Sequence, residues 1–192
     1  LTYPFIIAAS NDKPYSTLEE LAAHSAENPQ VLGHFGAFLL PTQATFAVAK
    51  EMGFEWGSEA SSGALDCNSL ASGDFDVVTT TIQQLLPCLD SVNVLATVTE
   101  TPIPVAPDAP MLATIAPTLN ISLWNGLFVH KDTPADVREK IVAVAQTTIA
   151  SDRAKELAAQ TGAIIYWQNA EDAAARIASD IEVSAAINAM IE

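Results

Sequence analysis

The stretch VLGHFGAFLLPTQATFAVAKEMG, residues 31–53, decides the fold class of this chain. It begins as a β-strand, breaks at a turn of small residues that contains Gly33 and Gly36, and continues as an amphipathic helix from about residue 42. Strand, glycine turn and helix in this order are typical of α/β proteins, where the free N–H groups at the start of the helix can bind an anion. The sequence therefore predicts an anion-binding loop.

Composition limits the classes of partner. Acidic residues outnumber basic ones 23 to 8, giving a formal net charge of -15. Nucleic acids and anionic membrane surfaces need clustered Lys and Arg, so both are predicted not to be partners. The hydrophobic content of 49% predicts a packed core, but no apolar run has the roughly 18 residues that span a bilayer. Residues 1–4 lack the features of a signal peptide, so we expect a mature, trimmed or cytoplasmic chain that is not embedded in a membrane.

The chain has two cysteines, Cys67 and Cys88, in no metal-binding pattern. They could form a disulfide in an oxidising compartment or remain two buried thiols, and their spacing does not decide between these possibilities.

Strands alternate with helices over the first hundred residues, which predicts a mostly parallel sheet flanked by helices. Ser61 and Ser62 are predicted to cap a helix over residues 63–71. Ligands of such sheets bind at the carboxyl ends of the strands. The predicted strands cover residues 3–10, 30–36, 54–56, 75–82, 93–100, 121–130 and 163–167.

A proline-rich segment divides the chain, because residues 100–120 contain five of the eleven prolines. It predicts an extended hinge or crossing segment. We therefore expect a strand–loop–helix ligand-binding lobe at 1–100, the crossing segment at 101–120, and the return segment of another lobe, with C-terminal helices, at 121–192.

The order of these motifs resembles the periplasmic solute-binding proteins of tripartite tricarboxylate transporters, also called Bug or TctC-like proteins. The resemblance rests on KPYSTLEELAAHSAENP, on the opening stretch, on SEASSGALDCNSLASGDFDVVTT, and on the region from VNVLATVTE through SLWNGLF to the Thr-Pro helix start. The chain departs from the family pattern at Ala60, Ser62 and Met111, and it lacks the family's usual N-terminal third. The resemblance implies a type II periplasmic-binding-protein-like α/β lobe plus the C-terminal part of a second lobe.

The resemblance also implies a function: an extracytoplasmic, periplasmic receptor that binds a small carboxylate and delivers it to membrane transporter subunits. Family ligands are held by backbone amides and hydroxyls in the turns at strand ends, which agrees with an anion site at a helix N-terminus that needs no Lys or Arg. The implied ligand-binding residues are Phe35, Gly36, Ala37, Phe38, Thr42, Gln43, Ser61, Ser62, Gly63, Thr79 and Thr80.

Two alternatives remain from the sequence: a ligand-sensing effector domain of related fold, and a small α/β enzyme. Enzyme chemistry has little support, because the chain has no GxSxG, HExxH, P-loop lysine or GxGxxG motif. We therefore predict a protein that is not an enzyme and has no cofactor, no metal and no catalytic residue.

Overall fold

Five β-strands form one mixed sheet in the computed structural model, which describes residues 1–192. The order across the sheet is β3-β2-β4-β1-β5. Strands β2 to β5 run in the same direction, and β1 is antiparallel to both of its neighbours, β4 and β5. The predicted α/β class is confirmed, with β1 as the exception to the parallel arrangement. The strands are β1 (Phe5–Ser10), β2 (Val31–His34), β3 (Ser58–Ser61), β4 (Val77–Thr81) and β5 (Val92–Val98).

The register brings the ends of all five strands to one side of the sheet, which we call the loop edge. His34 at the end of β2 lies beside Ser61 of β3 and Thr79 of β4. Phe5 at the start of β1 lies beside Thr81 of β4 and Val98 of β5. The loop edge therefore collects the carboxyl ends of four strands and the amino end of β1.

Eight α-helices surround this sheet or follow it. The first is capped by Thr17, whose hydroxyl accepts a hydrogen bond from the Glu20 amide (3.1 Å). The Ser16 amide and hydroxyl in turn bind the Glu20 carboxylate and lower its pKa. The helices are α1 (Leu18–Ser25), α2 (Leu40–Glu51), α3 (Cys67–Ala71), α4 (Ile82–Leu85), α5 (Leu112–Ile115), α6 (Ala135–Ala150), α7 (Asp152–Thr161) and α8 (Ala170–Ile191).

The central strands of the sheet are buried on both faces, whereas the edge strand β3 is exposed. Side chains alternate along β1, so Ile7 joins the larger apolar cluster on one face and Ile6 joins a second cluster on the other. The larger cluster contains residues of α1 and α2, and α8 contributes Ile187, which is fully buried. The C-terminal helix thus packs against α2 and completes the core of the sheet.

Two predicted strands, at residues 121–130 and 163–167, do not form. Each makes a single bridge, from Trp124 and from Ile164, to the same short segment at Thr2. A strand is stabilised by pairing along its length, and here the partner segment offers one bridging position. Helix α6 is also largely exposed, with Ala145 as its one buried residue.

The predicted positions of β3 and of the start of α3 are wrong. Residues 54–56 are not a strand, and β3 lies at residues 58–61, where it pairs with β2. Ser61 and Ser62 do not cap a helix. Asp66 caps α3 instead, because its carboxylate accepts hydrogen bonds from the amides of Asn68 (2.9 Å) and Ser69 (3.3 Å).

A disulfide joins Cys67 to Cys88, with an S–S distance of 2.06 Å, so the alternative of two free thiols is wrong. It ties the start of α3 to a 3-10 helix at Leu86–Ser91. None of the helices combines the length and the apolar character needed to cross a bilayer.

Candidate functional site

The loop between β2 and α2, residues 35–39, lies at the loop edge. The backbone N–H groups of Gly36, Ala37 and Phe38 donate to no group of the chain, whereas the Leu39 N–H donates to the Gly36 carbonyl (3.1 Å). Helix α2 has no acidic residue in its first turn, so no nearby carboxylate of that turn neutralises the partial positive charge of its N-terminus. The loop thus presents free donors and a favourable field for an anion.

The first turn of α2 contains the predicted residues Thr42 and Gln43. Helix α2 begins at Leu40, two residues before the predicted start, with Pro41 in its first turn where a missing N–H has no cost. Thr42 is 1% exposed. The Gln43 amide donates to the Leu39 carbonyl (3.0 Å), so only its side chain is free to contact a ligand.

Two aromatic rings flank this loop. Phe35 packs edge-on against Phe5 of β1, with ring centroids 6.3 Å apart. Phe38 is 80% exposed, and its ring covers Gly36 so closely that a Cβ added to Gly36 would lie 2.9 Å from Phe38 Cε1. A side chain at position 36 would therefore have to displace the exposed Phe38 ring.

The predicted residues Ser61, Ser62 and Gly63 lie next to the loop but form no helix terminus. The Ser62 amide donates to the His34 carbonyl (2.9 Å), which holds this turn beside the end of β2. The Ser62 hydroxyl accepts a hydrogen bond from the Ala64 amide (3.1 Å) in a local turn. The structure thus brings these residues to the loop edge without the helix field that the sequence predicted.

Thr79 and Thr80 lie inside the protein. The Thr79 hydroxyl is hydrogen-bonded to the Thr45 hydroxyl of α2 (2.8 Å), and the Thr80 hydroxyl donates to the Leu65 carbonyl (2.9 Å). Both residues are buried, so the structure does not present these hydroxyls at the surface. The next residue, Thr81, is half-buried and lines a cavity at the loop edge.

That cavity has a volume of about 410 Å³. Phe5, which contacts Phe35, forms part of its wall and so connects it to the loop. Sequence reasoning pointed to Thr79 and Thr80, next to Thr81, but missed the residues that line the cavity, because most of them come from segments that are distant along the chain. The cavity is lined by Tyr3, Phe5, Thr81, Gln83, Leu123, Trp124 and Asn125.

One arginine organises the segments next to this cavity. Arg176 of α8 donates to the Glu100 carboxylate (2.8 Å), to the Ser122 hydroxyl (2.7 Å) and to the Tyr166 hydroxyl (3.4 Å). Its guanidinium also lies 5.6 Å from the centre of the Trp124 ring. Arg176 therefore holds together three segments that follow β5, and nothing in the local sequence marked it for this role.

The buried imidazole near the loop is paired. His34 Nε2 contacts the carboxylate of Glu59 in β3, and the His34 ring packs edge-on against Phe46 (5.9 Å). His34 Nδ1 has no hydrogen-bond partner. No group of three or more His, Cys, Asp or Glu side chains is arranged to hold a metal ion.

Comparison with solved structures shows which fold this is. The chain aligns with a TctC solute-binding protein from Polaromonas over 99% of its length and 66% of that chain, at 20% identity and a TM-score of 0.77. It aligns with the periplasmic binding protein BugD over 97% of its length and 66% of that chain, at 20% identity and a TM-score of 0.76. It also aligns with MatC from Rhodopseudomonas palustris with bound malate, over 99% of its length and 67% of that chain, at 18% identity and a TM-score of 0.74.

At these identities the comparison establishes the fold, and the resemblance inferred from the sequence is confirmed at that level. No protein-family model matches the chain, and no curated protein matches it. The chain spans slightly less than two thirds of the Polaromonas and BugD structures, 66% of each.

Proposed function

We propose that this chain is the ligand-binding part of an extracytoplasmic receptor that binds a small carboxylate and delivers it to a membrane transporter of the tripartite tricarboxylate type. The observation that carries the proposal is the loop at 35–39, where three neighbouring amides have no partner at the N-terminus of a 12-residue helix. A carboxylate would accept hydrogen bonds from these donors without any Lys or Arg. A net charge of -15 is compatible with this site, because the amides act at hydrogen-bond range.

The fold supports the same proposal. MatC, whose structure contains bound malate, shares the architecture of this chain, and so does BugD, which is named a periplasmic binding protein. The disulfide between Cys67 and Cys88 fits a protein that works in an oxidising compartment such as the periplasm. The delivery step would use closure of two lobes about the segment at 101–120, a hinge motion that bound ligand stabilises.

The test is calorimetric titration with a panel of small carboxylates, combined with a variant that carries its own anion. Ala37 is exposed beside the free amides, so Ala37→Asp places a carboxylate at the site. We expect Ala37→Asp to weaken carboxylate binding at least tenfold. The control is Ala37→Asn, because asparagine has nearly the shape of aspartate but no charge. Its Kd for the carboxylate should stay within about threefold of that of the unmodified chain.

Three results would overturn the proposal. The first is that no carboxylate of the panel binds. The second is equal binding by Ala37→Asp and the unmodified chain, which would show that the anion site lies elsewhere. The third is turnover of a panel member without any ligand-induced thermal stabilisation, which would favour an enzyme.

A further inference from the structure

We propose that the cavity at the loop edge binds the body of the ligand, and that the chain prefers a monocarboxylate with a flat, aromatic body to a short dicarboxylate. This inference rests on the proposed function, because the carboxylate of such a ligand would occupy the loop at 35–39. The cavity adjoins this loop through the contact between Phe5 and Phe35. The inference requires one ligand to extend from the loop, past the paired rings of Phe5 and Phe35, into this cavity.

The size of the cavity suits an aromatic ring. Its volume is about 410 Å³. A closed cavity of roughly 150 Å³ is enough to hold benzene, so a ring with a substituent fits here with room to spare. A four-carbon dicarboxylate would fill less of the space and would leave apolar wall in contact with water.

The walls are aromatic. Tyr3, Phe5 and Trp124 all contribute to the lining, and aromatic faces and edges stabilise a bound ring beyond the burial of its area. Trp124 is held by groups outside the lining, since its Nε1–H donates to the Asp180 carboxylate (2.7 Å) and the Arg176 guanidinium lies over its ring. The ring is therefore positioned before a ligand arrives, which lowers the entropic cost of binding.

The polar groups of the cavity carry no charge. The polar residues that line it are Tyr3, Thr81, Gln83 and Asn125, whose side chains are hydroxyls and amides. A neutral hydroxyl or amide on the ligand can hydrogen-bond to these groups. A second carboxylate would be desolvated next to them without a cation to compensate.

Nearby positive charges are committed elsewhere. Arg176 is paired with Glu100 (2.8 Å) and lies 3.7 Å from the Asp180 carboxylate.

The experiment compares phenylacetate and 4-hydroxyphenylacetate with succinate and malate by calorimetry on the same preparation of the chain. We expect a Kd for the aromatic acids at least tenfold lower than for the dicarboxylates. Tighter binding of succinate or malate would overturn this inference and leave the proposed function intact. If none of the four acids binds, the inference fails together with the proposed function.

Two variants at one exposed position test the role of charge. Gln83→Arg introduces a cation into the lining, and we expect it to shift the preference toward succinate by tenfold or more. Gln83→Met keeps the length of the side chain and adds no charge, so it should not produce the shift toward succinate, whatever affinity the loss of the amide costs. A preference that Gln83→Arg does not alter would show that the distal part of the ligand lies outside this cavity and would overturn the inference.

Discussion

Replacing Cys67 and Cys88 with serine removes the cross-link between α3 and the 3-10 helix, and we expect it to lower the free energy of unfolding by about 3 kcal/mol. The two cysteines are 21 residues apart in the sequence. Closing a loop of this length removes about 11 cal/mol/K of entropy from the unfolded chain, or roughly 3.3 kcal/mol at 25 °C. Both side chains are half-buried, so the change to serine adds little cost in packing. For a chain of this size, the loss corresponds to a decrease in Tm of roughly 7–13 °C.

The assay is urea unfolding followed by circular dichroism, with and without dithiothreitol. The reduced unmodified chain should unfold at the midpoint of the double variant, and dithiothreitol should not affect the double variant itself. Carboxylate affinity in the folded state should stay within about twofold, because the disulfide joins α3 to the 3-10 helix and neither of these segments belongs to the loop at 35–39. The reasoning is refuted if the oxidised chain and the double variant differ by less than about 1 kcal/mol.

Three further variants test other parts of the structure. Burial raises the pKa of Tyr15, and the nearby Asp76 raises it further. The neutral phenol therefore contributes stability that is complete below pH 10 and declines as the pH rises above that value. In unfolding experiments at a series of pH values, Tyr15→Phe should reduce this decline. Gly33→Ala should lower the free energy of unfolding by about 1–3 kcal/mol, because its Cβ would lie 2.6 Å from the Phe75 ring. Its control, Gly63→Ala, has open space and should change stability by less than about 0.5 kcal/mol in the same experiment. Arg176→Met should lower stability by about 2–3 kcal/mol in thermal and urea unfolding, and an unchanged midpoint would contradict its role in joining the three segments.

The sequence predicted the elements whose signals are local. Helix α1 has a local start signal, a hydroxyl residue at 16 or 17 followed by Glu19 and Glu20, and Thr17 is the cap in the structure. The strand, glycine turn and helix at 31–53 were identified from hydrophobic periodicity, and β2 and α2 lie there. These signals depend on residues within about four positions of one another, so they can be recognised without knowledge of the tertiary structure.

The candidate site was only partly accessible to the same reasoning. The position of the loop between β2 and α2 could be predicted, because a helix N-terminus follows from local sequence. Thr79 and Thr80 were chosen as neighbouring hydroxyls, yet both are buried, because β4 is a central strand that is covered on both faces. Whether the proposed residues bind a ligand stays a prediction for the titrations described above.

The sequence by itself determined the α/β class, the acidic surface and the strand–loop–helix unit, because each follows from composition or from contacts over a few residues. Tertiary structure alone decided that β1 runs against its neighbours, that Cys67 meets Cys88, that Ile187 of α8 completes the core, and that Arg176 joins distant segments. These outcomes depend on which surfaces meet after loop closure, and many alternative pairings have similar local propensities. The cavity belongs to the second group, since its walls come from chain segments more than a hundred residues apart.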